Sequence, residues 1–148
     1  MFANFLKGLM APAPAPLSGP DSRLALAALM VRIARADGDY APAEKNVIEA
    51  LLARRYGLSS DQALALRTEA EQLESEAPDT VRFTRAIKDA VAYEERLGVI
   101  EALWEVVLAD GVRDNEENNL LRLLANLLGI NDRDSAIARQ QVAARLGR

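Results

Sequence analysis

Apolar positions recur at helical spacing along almost the whole chain, and no stretch alternates apolar and polar residues long enough to make a sheet. The spacing predicts a first helix capped by Asp21 or Ser22 and running to about Asp37. Its Leu24, Leu26, Leu29, Met30, Val31 and Ile33 point to nearly every side, so it reads as central. Pro42 suits the first position of a second helix, which Gly57 ends. Ser59 and Gln62 stand at capping-box spacing and open a third helix through Leu64, Leu66 and Leu73, stopped by Pro78. A fourth carries Val81, Phe83, Ile87 and Val91, and a fifth carries Leu97, Ile100, Trp104 and Val107 up to Asp110. A sixth runs through Leu120, Leu121, Leu124, Leu127 and Leu128 to Gly129. Asn131 or Asp132 caps a last one with Ile137, Val142 and Leu146. Residues 21–148 therefore read as an all-α, compact bundle of about seven helices.

The first twenty residues differ. Phe2, Phe5, Leu6 and Leu9 make an apolar face on a short peptide, followed by alternating Ala and Pro from Ala11 to Pro16 and then Gly19-Pro20. Alternating proline favours an extended, semi-rigid spacer. Ten residues cannot hold a helix unaided, so the peptide is expected to dock on its own domain, on a partner or on a membrane surface, and to be dispensable for folding.

Within the bundle a spelling recurs. Ala36-Asp37-Gly38 with Glu44 and Ala109-Asp110-Gly111 with Glu117 both read A-D-G-x5-E, 73 residues apart, and each lies between apolar helical stretches. This predicts an internal duplication of a helix–acidic loop–helix unit. Asp37, Asp39 and Glu44 offer three carboxylates in the first loop; Asp110, Asp114 and Glu117 offer three in the second. Hard cations such as Ca²⁺, Mg²⁺ or Mn²⁺ take oxygen ligands of this kind. The loops are not EF-hands, because positions one and three of such a loop would fall on Ile33 and Arg35, or on Val106 and Leu108.

Capping offers a second reading. Glycine after a helix is a common C-terminal cap, and Asp114, Glu44 and Glu117 sit where the start of a helix favours an anion. Asp37 and Asp110 fit less well, because an exposed anion at the end of a helix costs ~0.3–1 kcal/mol. Metal ligand and helix latch both stay open.

Composition removes many alternatives. The 148 residues contain no cysteine and no histidine, which excludes thiol chemistry, disulfides, cysteine/histidine zinc sites and histidine-based triads. No catalytic constellation stands out among the carboxylates and lysines. The net charge is −4 with scattered basic residues, which speaks against nucleic acid as a partner. No run approaches the ~20 apolar residues of a membrane span. Lys7 interrupts the apolar start, which makes a poor secretion signal, so the expected location is the cytoplasm.

The stretches Ala34-Arg35-Ala36-Asp37-Gly38 with Glu44 and Val107-Leu108-Ala109-Asp110-Gly111 with Glu117 resemble the TerB-like family, the tellurite-resistance protein B type of bacterial helical domain. The ending Leu127-Leu128-Gly129-Ile130 followed by Asn131-Asp132 is similar to that family too. The resemblance spans about residues 21–148 and implies a non-enzymatic helical domain whose acidic residues bind divalent metal. By position, it implies Asp37, Glu44, Asp110 and Glu117 as ligands. Asp39 and Asp114 do not correspond between the two copies. It further implies protein partners in a stress-response assembly, often membrane-associated, and so a place at the membrane periphery.

Overall fold

The computed structural model describes residues 2–12, 17–35, 40–109 and 115–147; of residues 106, 107, 109 and 115–118 it describes the backbone alone. Every regular element among them is a helix. In order these are α1 (Ala3–Leu9), α2 (Gly19–Arg35), α3 (Pro42–Tyr56), α4 (Ser60–Glu76), α5 (Thr80–Ala90), α6 (Tyr93–Ala109), α7 (Asn115–Leu127) and α8 (Asp132–Leu146).

The helix α2 is the hub. It packs along α4 and also meets α3, α5 and α6. From Ala25 to Val31 it is almost completely buried, and Ala25, Ala27 and Ala28 let neighbouring backbones approach closely. It starts earlier than Asp21 or Ser22 would set it. The Asp21 N–H donates to Ser18 Oγ at 3.2 Å, so Ser18 is the capping side chain and Ser22 is buried. Pro20 explains the shift: it lacks an N–H and is preset for the first turn, so the helix extends back to Gly19.

The other boundaries follow local chemistry. Ser59 and Gln62 form the expected reciprocal capping box. Ala77, ahead of Pro78, is driven into extended backbone and ends α4. Asp79 then caps α5 by accepting from the Arg82 N–H at 3.0 Å. Asn131 caps α8 by accepting from the Asp134 N–H at 2.7 Å. Gly57 and Gly129 end α3 and the turn after α7 with φ of 64° and 78°. Beyond each, the next N–H reaches back five residues, from Leu58 to Ala53 O and from Ile130 to Ala125 O.

Three helices before α5 and three after it share one spacing. The starts of α2, α3 and α4, moved by 73, fall at 92, 115 and 133; α6, α7 and α8 start at 93, 115 and 132. In both sets the first and third helices pack most extensively on each other. We call α2–α3–α4 the first arm and α6–α7–α8 the second.

The N-terminal peptide is folded onto this body. Leu9 is 2% exposed and belongs to the core, while Phe2, Phe5, Leu6 and Met10 pack partly buried against it, chiefly on α5. The Leu17 N–H donates to Ala90 O at 3.1 Å, which ties the end of the spacer to the same helix.

Candidate functional site around the first acidic loop

The sequence places its six carboxylate candidates at the α2–α3 and α6–α7 junctions. Asp37, Asp39, Asp110 and Asp114 lie outside the described residues, as does the side chain of Glu117. Glu44 is described. It is half-buried at the third position of α3, and its N–H donates to Ala41 O at 3.0 Å. A carboxylate there is favoured by the helix N-terminus whether or not it also holds a cation. Among the described residues, no group of three or more acidic side chains is gathered as a metal site.

The described residues on either side of the first loop form a charged network that the sequence reading overlooked. Arg35 ends α2. Its Nη1 is 2.6 Å from Glu74 Oε2, and its Nη2 is 3.9 Å from Glu71 Oε2, both on α4. Arg32, one turn earlier, donates from Nε to Glu74 Oε1 at 3.1 Å and from Nη2 to the Glu74 carbonyl at 3.1 Å. It also donates from Nη1 to Pro78 O, so one guanidinium closes the C-terminal end of α4. Farther along, Arg67 of α4 pairs with Glu71 at 2.6 Å and with Glu49 of α3 at 3.3 Å.

Tyr40, the first described residue after the loop, completes the network. Its ring lies under the Arg35 guanidinium at 5.2 Å and the Lys45 ammonium at 5.0 Å. Burial raises its pKa above 10.0, and the adjacent Glu71 charge pushes the same way while Arg67 opposes it. The residues immediately before and after the loop are thus both held against α4. A usable signal was present in the sequence: Arg32 and Arg35 follow directly on the apolar run Leu24 to Val31 of a central helix, and a charge in that position needs a partner.

The second arm is joined differently. Trp104 of α6 is buried and donates from Nε1 to Ser135 Oγ of α8 at 3.2 Å. The Tyr93 hydroxyl donates to Asp134, which raises the tyrosine pKa, with burial adding to the shift. Arg96 donates from Nε to Val91 O at 2.9 Å and from Nη1 to Leu128 O. Burial lowers its pKa. Between the arms Arg54 pairs with Glu105, and the Arg55 guanidinium lies where a Cβ at Gly98 would stand.

None of the helices, among the described residues, is long and apolar enough to cross a membrane. The family model for tellurite resistance protein TerB matches residues 23–140, from α2 into α8. No curated protein and no solved structure matches the chain.

Proposed function

The chain belongs to the tellurite resistance protein TerB family, and on that premise we propose that it is a non-enzymatic, divalent-cation-binding domain of a bacterial stress-response assembly. The observation that carries the reading is that A-D-G-x5-E falls at the same place in each arm, between its first and second helices. That recurrence also supports reading the arms as copies of one unit.

The donor set suits a hard cation. Asp37, Asp39 and Glu44 in the first loop, and Asp110, Asp114 and Glu117 in the second, offer only oxygen. Ca²⁺, Mg²⁺ and Mn²⁺ prefer such ligands to nitrogen or sulfur. A bound cation would supply the positive charge that an aspartate at a helix C-terminus otherwise lacks. The glutamates would enter from the first turns of α3 and α7. Protein partners, and a location at the membrane periphery, follow from the family's link to stress assemblies.

Thermal melts of the full chain with chelator and with millimolar Ca²⁺, Mg²⁺ or Mn²⁺ test this. A cation binding only the folded state at a hundredfold excess over Kd stabilises it by ~2.7 kcal/mol. Asp37→Asn and Asp110→Asn together should abolish that gain and leave the chelated protein little changed. No cation-dependent shift in the wild type, with both variants destabilised in chelator, would establish the alternative: a structural adaptor whose acidic loops are helix latches.

A further inference from the structure

Arg23, Arg55 and Tyr56 form a second charged cluster, where α2, α3 and α6 meet. The Arg23 guanidinium of α2 lies 4.7 Å from the centre of the Tyr56 ring, and the Arg55 guanidinium of α3 lies 5.7 Å from it. The two cations therefore stand within roughly 10 Å of each other on one ring, close enough to repel. Neither forms an ion pair or a hydrogen bond among the described residues, and the buried Arg23 Nε has no acceptor.

Comparable arginines are neutralised. Arg32, Arg35 and Arg67, half-buried like Arg23, end on Glu74, Glu71 and Glu49. Tyr40 also carries two cations, but its Arg35 is held by Glu74 and Glu71. Next to the cluster, Arg54 is taken up by Glu105. The C-terminal end of α3 favours Arg54 and Arg55 through its dipole, whereas Arg23 comes from the N-terminal half of α2, which offers a cation nothing.

Gly98 adds an independent observation. It lies inside α6, where glycine is less stable than alanine. A Cβ there would fall 1.7 Å from Arg55 Nη2, so the guanidinium occupies the space a side chain would fill. The helix forgoes stability at a position that lets Arg55 lie beside Tyr56.

An anion answers each of these features, and carboxylates and phosphates both suit guanidinium forks. The patch is open, with Arg55 exposed, and a single exposed ion pair holds weakly. Two carboxylates on one segment engage both arginines, the second at high effective concentration. We propose that Arg23 and Arg55, aligned on Tyr56, bind an acidic peptide segment of a partner protein through two of its carboxylates. The net charge of −4 repels such a segment elsewhere, so the attraction is local to this patch. The site lies outside the acidic loops and does not depend on cation binding.

Fluorescence anisotropy of a dye-labelled hexaglutamate peptide, titrated with the metal-free full chain at low salt, tests it. Binding should saturate, weaken as NaCl rises, and be absent for hexaglutamine. Arg23→Met, which keeps the buried stem, and Arg55→Ala should each raise Kd at least about threefold. Gly98→Ala should displace the Arg55 guanidinium and raise Kd about as much as Arg55→Ala, while the melting temperature holds or rises. Arg139→Ala removes a guanidinium stacked on Trp104 and should leave Kd within about 1.5-fold. No saturable binding, an unmoved Kd in Arg23→Met or Gly98→Ala, or equal losses in Arg55→Ala and Arg139→Ala would overturn the proposal. So would inorganic tripolyphosphate binding more tightly than the peptide, which would make the patch a phosphate site.

Discussion

The two arms place their helices at one spacing, yet they are joined by different forces. In the first arm, α2 and α4 meet through charge: two arginines of α2 converge on Glu74, a side chain only 11% exposed. In the second, α6 and α8 meet through the Trp104 indole, which donates to Ser135, and through the Tyr93 hydroxyl, which donates to Asp134. A helical scaffold is specified by where its apolar faces fall, which leaves the chemistry of each junction free to diverge. Two arginines converge on one carboxylate where α2 meets α4, whereas the residues that stand in place of Arg35 and Glu74 in the second arm are Leu108 and Gly147.

That contrast predicts where the protein is most easily damaged. The largest effect is expected from Glu74→Ala, which leaves Arg32 and Arg35 at a part-buried junction without their common carboxylate. Removing one partner of a buried pair costs about 3–5 kcal/mol, to be read from urea melts. A cost under about 1 kcal/mol would mean that the first arm is held by packing alone.

Leu9→Ala should come next, at about 2 kcal/mol, the low end for a buried leucine because α1 can detach rather than leave a cavity. The sequence suggests that a chain starting at Ser18 melts like the full one. The buried Leu9 predicts instead that such a truncation melts several degrees lower, by about the same free energy.

Alkaline pH should act on both arms through their tyrosines. Folding raises the pKa of Tyr40 through burial, and that of Tyr93 through its hydrogen bond to Asp134. The neutral phenols are therefore the forms that folding favours. Their contribution is complete below pH 10 and is lost as the pH climbs through the raised values. Melts across this range should fall less steeply for Tyr40→Phe and for Tyr93→Phe than for wild type. A steeper loss in Tyr93→Phe alone would deny the second arm its polar contact.

The smallest effect is expected from Arg122→Ala. This residue stands where the first arm has Glu49, but its pair with Asp132 is long and more than half exposed on both sides. A change within about 0.5 kcal/mol is expected in the same melts.

The helices were legible in the sequence because burial with a period near 3.6 leaves its mark on every turn, and because Pro42, Ser59, Pro78 and Asn131 act locally. Ser18 was missed as the cap of α2 because a Gly-Pro pair looks like a linker, although proline is at home in a first helical turn. The acidic loops were legible as a repeated spelling, but a spelling carries no distances. The charged network was hidden for a related reason. Arg32 and Arg35 meet Glu74 across about forty residues of chain, and only the packing of α2 on α4 brings them together. The spacing of Arg67 and Glu71, four apart on one helix, was the part that could be read in advance.

Native-state hydrogen exchange, with chelator and then with millimolar Ca²⁺, Mg²⁺ or Mn²⁺, tests the cation-binding account most directly, since it reports each junction separately. With the cation that binds, protection should rise for the amides of residues 36–44 and 110–117 and of the helix ends that adjoin them. Exchange at both junctions unchanged by any of the three cations would contradict it.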